Sequence, residues 1–129
     1  MGVHDRTRES RPAWWLATAL LAGVALGAGV VAQSKRDVSV TAKKYGFEPA
    51  EIRVQQDDQV SIVFTAEDIA HSFTISDEHY RIDRRAEPGK PATFRFLADK
   101  PGTFEIRCTL TIDDRCLRDM RAKFVVVGK

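Results

Sequence analysis

Four side chains in the second half of the chain are of types that bind soft metal ions: the imidazole of His71, the thiols of Cys108 and Cys116, and the thioether of Met120. The residues from Phe104 to Cys108 alternate between apolar and polar, as in a half-buried strand, so Cys108 is expected to face inward. The segment that begins at His71 has the same alternation, which places its imidazole on the buried face. One imidazole, two thiols and one thioether at adjoining strand ends form a ligand set suited to copper.

The same residues also allow an interpretation without metal. In an oxidising compartment, Cys108 and Cys116 would form a structural or redox-active disulfide. A single buried histidine such as His71 is more often a core residue with a polar partner, and Met120 by itself is most often a core filler. There is no Cys-x-x-Cys pair and no thioredoxin-like βαβ pattern, which argues against a thiol–disulfide reagent. Copper binding and a metal-free disulfide both remain open at this stage.

Four arginines surround the cysteine loop in sequence: Arg107, Arg115, Arg118 and Arg121. Positive charge near a thiol favours the thiolate and would lower its pKa. Exposed arginines are also common as solvated surface charges. The sequence leaves open which of the two roles these residues have.

The elements that must position these side chains are short strands. Alternating segments are separated by turn signals at 57–58, 87–89 and 99–102. No long helical period appears after residue 33. This pattern predicts an all-β, Greek-key β-sandwich with the four candidate ligands at one end of the strands. The predicted strands lie at 38–42, 60–65, 93–96, 103–109 and 122–127.

The N-terminal part of the chain has a different composition. Residues 13–32 carry no charge, and a stretch of this length is long enough to cross a bilayer as a helix. Arginines precede it, as in export segments, and small residues at its end allow cleavage. We therefore predict a short tail at 1–12, a transmembrane anchor or signal segment at 13–33, a linker at 34–37 and one folded domain at 38–129.

Composition narrows the function classes. Lys and Arg total 20 against 18 Asp and Glu, a formal net charge of +2. This balance, without a basic stripe of interleaved aromatics, argues against nucleic acid binding. No glycine-rich phosphate loop or small-molecule substrate site is evident. About 92 residues in the folded domain suffice for a single modest core.

Several motifs are spaced along residues 38–129 as in one known family. They are Tyr45-Gly-Phe-Glu-Pro49, Asp68-Ile-Ala-His71-Ser-Phe73, Lys100-Pro-Gly-Thr-Phe104, the Cys108 loop and the closing segment from Met120 to Val127. Together they resemble the cupredoxins, which include blue copper proteins and the copper domain in subunit II of cytochrome oxidases. The resemblance implies a copper cofactor bound by His71, Cys108, Cys116 and Met120.

The cysteine loop departs from the patterns of that family. Blue copper loops place a histidine between the cysteine and the methionine, and binuclear loops read C-x3-C-x3-H-x2-M. This chain reads C-x7-C-x3-M, so Cys116 stands where either pattern has a histidine. Ile112 stands where the binuclear pattern has its second bridging cysteine. A binuclear site is therefore not expected, and the second thiol favours retention of Cu(I).

The resemblance implies a membrane-tethered, extracytoplasmic (periplasmic) copper protein, or a soluble periplasmic one if the N-terminal segment is cleaved. Its expected role is electron transfer or Cu(I) carriage, not catalysis, with a redox or copper-trafficking protein as partner. Two alternatives stay open. One is a stand-alone component similar to oxidase subunit II, and the other is a metal-free module with a Cys108–Cys116 disulfide.

Overall fold

The computed structural model describes residues 34–129, which form nine β-strands and one short helix. The first five strands are β1 (Lys35–Lys43), β2 (Gly46–Glu48), β3 (Glu51–Gln55), β4 (Asp58–Ala66) and β5 (His71–Ile75). They are followed by β6 (Ile82–Ala86), β7 (Ala92–Ala98), β8 (Gly102–Arg107), the helix α1 (Asp114–Asp119) and β9 (Arg121–Val127). None of the helical structure described here has the length and apolar character needed to cross a membrane. The predicted anchor or signal segment at 13–33 lies outside the described residues.

The strands form two sheets, one with the order β2-β1-β4-β7 and the other with the order β3-β9-β8-β5-β6. The pairs β1–β4 and β3–β9 are parallel, whereas the other paired strands are antiparallel. Each sheet turns one face toward the other, and the buried residues of both sheets form one core. The all-β sandwich expected from the alternating sequence is confirmed.

Aromatic side chains fill much of the space between the sheets. Phe73 of β5 packs against Phe64 of β4 and Phe94 of β7, with ring centroids 5.7 Å and 5.3 Å apart. Phe64 and Phe73 are fully buried, and each contributes about 2–3 kcal/mol by removal of its apolar surface from water. Because Phe73 lies two residues after His71, this packing also fixes the strand that carries His71.

The first strand begins earlier than the sequence predicts. Residues 35–37 lie in β1 and pair with β4, with Lys35 opposite Gln59, so they are not the linker expected at 34–37. The side chains of Lys35, Arg36 and Asp37 are exposed. Strands pair through their backbones, so the end of a strand can pair without an apolar face. Because these three residues do not alternate between apolar and polar, the sequence did not predict this part of β1.

Strand register brings three of the candidate ligands to one end of the second sheet. Thr74 of β5 pairs with Arg107 of β8, and Arg107 pairs in turn with Arg121 of β9. His71 begins β5, Cys108 directly follows β8, and Met120 directly precedes β9. The predicted clustering of these side chains at adjoining strand ends follows from this register.

Candidate metal centre

His71 is completely buried, and its two ring nitrogens have different surroundings. The Nε2 atom lies 2.7 Å from Oδ1 of Asp68. The Nδ1 atom is also buried and has no hydrogen-bond partner among the described residues. Buried polar atoms in proteins are nearly always paired, so an unpaired imidazole nitrogen in this position points to a missing ligand.

Asp68 determines which nitrogen of His71 carries the proton. Burial opposes its ionisation, but hydrogen bonds from the Lys44 amide, from His71 and from the Ile69 amide lower the pKa of Asp68 to about 2. An ionised carboxylate only accepts hydrogen bonds, so Nε2 of His71 must be the donor. In the neutral ring, Nδ1 then holds a free lone pair. This is the arrangement of a metal-binding histidine, whose second nitrogen commonly donates to a carboxylate.

Cys108 and Cys116 are joined by a disulfide bond across a sequence separation of 8 residues, with their Cα atoms 5.2 Å apart. Both residues are buried, with exposed fractions of 0% and 1%. The Ser72 amide, next to His71, donates to Cys108 Sγ at 3.5 Å. The Cys108 amide is 3.4 Å from the Met120 carbonyl oxygen. The disulfide therefore lies between the histidine strand and the start of β9.

The short helix α1 places Cys116 over the end of the sheet. Asp113 caps this helix, since its Oδ1 accepts from the Arg115 amide at 2.9 Å. The Cys116 amide donates to the Asp113 carbonyl oxygen at 3.0 Å. Cys116 is the buried residue of α1. Met120, the C-cap that directly follows the helix, is also buried. The sequence predicted a loop here because six helical residues show no periodicity.

A small network of hydroxyl groups fixes the backbone around Cys108. Ser72 Oγ accepts from the Thr109 amide at 2.8 Å and lies 3.1 Å from the hydroxyl oxygens of both Thr74 and Thr109. Thr74 donates to Asp83 at 2.9 Å, which ends the chain of hydroxyls on a carboxylate. These bonds tie Thr109, the residue after Cys108, to β5, and so restrict the position of Cys108 relative to β5.

The arginines near the cysteine loop are paired with carboxylates. Arg115 and Arg118 lie 2.7 Å and 3.0 Å from Asp119, and Arg121 lies 2.6 Å from Glu105. All three side chains are well exposed. They therefore match the surface-charge alternative better than a role in stabilising a thiolate.

Ile112 is 58% exposed, which is unusual for a large apolar side chain among residues 34–129. It stands in the loop between β8 and α1, at the register where a binuclear copper loop carries a second bridging cysteine. The two cysteine sulfur atoms of this chain instead come from Cys108 and from Cys116 on the helix. That this chain lacks an ordinary binuclear site stays a prediction.

The comparison with family models decides the classification of the sandwich. Residues 13–126 match the model of the cupredoxin-like domain. The chain belongs to the cupredoxin-like family. The family resemblance inferred from the sequence motifs is therefore confirmed.

Two relatives show where related cupredoxin domains occur. The nitrous-oxide reductase of Ralstonia nicotianae is 33% identical over 86 residues, which cover 63% of this chain and 13% of that enzyme. Cytochrome c oxidase subunit 2 of Thermus thermophilus is 28% identical over 71 residues, covering 55% of this chain and 51% of the subunit. The chain thus spans about an eighth of the reductase and about half of the oxidase subunit.

Solved structures share the fold of this cupredoxin domain. Auracyanin A, a blue copper protein of Chloroflexus aurantiacus, matches with a TM-score of 0.59 and 15% identity, covering 72% of this chain and 99% of that one. Subunit II of a cytochrome c oxidase, solved as a mixed disulfide with a thioredoxin-like protein, matches with a TM-score of 0.60 and 18% identity. That match covers 76% of this chain and 85% of the other. At these identities the comparison establishes the fold alone.

The four predicted ligands can be tested for fit to copper from the donor set itself. His71, Cys108 and Met120 lie at ends of neighbouring strands, and Cys116 is joined to Cys108 by the disulfide. Within residues 34–129, no group of three or more His, Cys, Asp or Glu side chains is arranged to hold a metal ion. In the described structure the two cysteine sulfur atoms are bonded to each other and are not thiolates. The role of these four residues as copper ligands stays a prediction, and it requires that the disulfide be reduced.

Three residues that shape this site were not predicted from the sequence. Asp68 holds His71, Asp113 caps the helix of Cys116, and Tyr45 contacts that helix from the turn between β1 and β2. Asp113 could have been found from its position as an N-cap before a short polar segment. Asp68 and Tyr45 lie within the motifs that carry the family resemblance, but no local pattern assigns a role to either.

Replacement of Asp68 by asparagine should weaken Cu(I) binding by the reduced chain by about 10–100-fold, the usual effect of removing the carboxylate behind a metal-binding histidine. An asparagine side chain at this position would no longer require Nε2 to be the protonated nitrogen. Competition titration with a Cu(I) chelator measures the change. Asp99→Asn is a matched control, because Asp99 is a carboxylate paired with His79, a histidine outside the candidate site. Equal affinities for the two variants would contradict this role of Asp68.

Proposed function

We propose that this protein is an extracytoplasmic, membrane-tethered cupredoxin that carries Cu(I), which it binds through His71, Cys108, Cys116 and Met120 after its disulfide is reduced. The observation that supports this most strongly is the buried Nδ1 of His71, which has no partner among the described residues while Nε2 is held by Asp68. An imidazole lone pair facing no donor is costly in a core unless a ligand takes it up. Membership in the cupredoxin-like family supports copper as that ligand.

The donor set favours Cu(I) as cargo over Cu(II). Thiolates and thioethers are soft ligands that select Cu(I), and a second thiolate in place of an imidazole increases that preference. Reduction would supply the two thiolates, from Cys108 and Cys116, beside His71 and Met120. Since the same two sulfur atoms form a disulfide in the described structure, copper binding depends on the redox state of this pair.

Reduction of the disulfide needs a partner that supplies two electrons and two protons. We propose a dithiol protein as this partner. One of its thiolates attacks a sulfur of the Cys108–Cys116 bond and forms a mixed disulfide, and the leaving thiolate takes up a proton. The partner's second thiolate then attacks the partner's own first sulfur and displaces the cysteine of this chain that is bound to it. That cysteine takes up the second proton, so both cysteines of this chain are reduced and the partner holds a disulfide.

The proposed location rests on two features. Residues 13–32 are uncharged and long enough to anchor the chain in a membrane. Stable disulfides form in oxidising compartments such as the bacterial periplasm. A folded domain on the extracytoplasmic side would encounter both copper and a dithiol partner there.

Native mass spectrometry of the full chain in detergent tests this function. Anaerobic titration with Cu(I) should load one ion on the reduced chain and none on the oxidised chain. Loading of both forms alike, or of neither, would contradict the proposal. Blocking the thiols of the reduced chain with an alkylating reagent is the matched control and should abolish loading.

Electron transfer is the second candidate, and the rigid hydroxyl network around Cys108 favours it. A site that changes little between two oxidation states suits electron transfer, and the bonds among Ser72, Thr74 and Thr109 restrict such change. Copper bound there would exchange one electron between Cu(I) and Cu(II). A stable, intensely coloured Cu(II) form after gentle oxidation would support this role, whereas re-formation of the disulfide with copper release would support carriage.

A further inference from the structure

The Cys108–Cys116 disulfide is inaccessible to a protein reductant in the described structure. The two cysteines have exposed fractions of 0% and 1%, and α1 carries Cys116. Thiol–disulfide exchange requires the attacking thiolate to approach a sulfur atom directly. The helix must therefore move before a dithiol protein can reduce the bond.

The helix α1 is too short to be stable without contacts to other elements. It has six residues, and isolated helices of fewer than about 12 residues are marginal in water. Its own side-chain contacts are the Asp113 cap and the pairs that Arg115 and Arg118 make with Asp119. Contacts from outside the helix must therefore determine how long it stays closed.

Tyr45 supplies two such contacts from the turn between β1 and β2. Its hydroxyl donates to Asp113 Oδ2 at 3.1 Å, and the guanidinium carbon of Arg115 lies 3.8 Å from the centre of its ring. The hydrogen bond to Asp113 raises the pKa of Tyr45, which keeps the hydroxyl protonated as a donor. A cation close above an aromatic ring is also an attractive contact. Tyr45 thus holds the first turn of α1 from two sides.

The same turn contacts the histidine side of the site. The Lys44 amide donates to Asp68 Oδ2 at 2.7 Å, and Oδ1 of that carboxylate is the partner of His71 Nε2. Lys44 and Tyr45 are adjacent, so one turn of the first sheet contacts both the His71 segment and the helix of Cys116. Movement of α1 away from Tyr45 would leave the bond from Lys44 to Asp68 intact.

We infer that Tyr45 is a positioning residue that holds α1 closed over the Cys108–Cys116 disulfide, and that its separation from Asp113 and Arg115 exposes the sulfur atoms to a dithiol protein. That Tyr45 controls reduction of the disulfide is inferred from the contacts of Tyr45 alone. The consequence for copper, slower entry and release while Tyr45 is engaged, rests on the proposed function.

The rate of disulfide reduction tests this inference. The oxidised full chain in detergent is mixed with excess dithiothreitol, and free thiols are labelled and counted with time. Tyr45→Ala should accelerate reduction about tenfold, because both a hydrogen bond and a cation–π contact are lost. Tyr45→Phe, which keeps the ring, should accelerate it about threefold. Equal rates for Tyr45→Ala and the unmodified chain would overturn the inference.

Arg115 and Arg118 provide a matched pair on the helix itself. Both lie against Asp119, but of the two it is Arg115 that lies over Tyr45 in the described part of the chain. Arg115→Ala should accelerate reduction several-fold, whereas Arg118→Ala should change it by less than about twofold. Equal acceleration by both would show that helix stability, not Tyr45, controls access, and would overturn the inference.

Two further measurements separate this inference from other causes. Denaturant unfolding of each variant shows whether a faster reduction merely reflects lower global stability, in which case the inference fails. Transfer of Cu(I) from each reduced variant to a chelator tests the copper part. If no variant binds copper but the reduction rates differ as stated, the proposed function fails and the role of Tyr45 stands. If copper binds and the reduction rates are equal, the role of Tyr45 fails and the function stands.

Discussion

The affinity of the reduced chain for Cu(I) should fall by more than about 100-fold when His71 is replaced by phenylalanine, because loss of a supporting residue alone commonly costs 10–100-fold. Phenylalanine fills a similar volume but offers no lone pair in place of Nδ1. Competition with a Cu(I) chelator of known affinity measures the change.

His79→Phe is the matched control for this experiment. His79 lies in the turn after β5, outside the candidate site. It is a partly exposed histidine, and it pairs with Asp99. Its replacement should leave Cu(I) affinity unchanged. If His71→Phe binds Cu(I) as tightly as His79→Phe does, His71 is not a ligand.

Reduction of the disulfide in the copper-free chain should lower its free energy of unfolding by about 2–3 kcal/mol, from the entropy of closing a loop of this length. For a domain of this size, that change corresponds to a fall in Tm of about 10–20 °C. Thermal unfolding of the oxidised and reduced chains, followed by circular dichroism, measures it. The described structure would then be the more stable of the two metal-free states.

Cu(I) should restore much of the lost stability, but only in the reduced chain. A ligand that binds the folded state alone stabilises it in proportion to the logarithm of its concentration over its Kd. The double variant Cys108→Ala/Cys116→Ala is the control, since it lacks both the disulfide and the thiolates. A rise in its Tm with Cu(I) equal to that of the reduced chain would contradict binding by the cysteines.

Five of the nine described strands, β1, β4, β7, β8 and β9, match strands predicted from alternating residues, whereas β5 is buried along its whole length, so its burial does not alternate. In β4 the buried and exposed positions alternate as its apolar and polar residues do. Strands β8 and β9 match predicted strands because their residues alternate in the same way. The alternation predicted only that His71 and Cys108 face inward, whereas the strand register is known from the structure. The start of β1 was missed because its exposed, charged residues leave no periodic signal.

The supporting contacts of the site could not be predicted in the same way. Tyr45 and Asp113 are 68 residues apart in sequence, and Lys44 and Asp68 are 24 apart. No local pattern encodes such pairs, which depend on how the two sheets pack. The state of Cys108 and Cys116 is also not encoded, because disulfide and thiolate forms of one sequence interconvert with the redox conditions.

The central claim is that Nδ1 of His71 is a free lone pair that binds copper, and nitrogen-15 NMR of the histidine rings tests it most directly. Cu(I) is diamagnetic, so the full reduced chain can be observed with and without the metal. Without copper, Nε2 should carry the proton and Nδ1 should be bare, and addition of Cu(I) should shift Nδ1 strongly. A protonated Nδ1 in the metal-free ring, or no shift of either ring nitrogen of His71 on saturation with Cu(I), would contradict the claim.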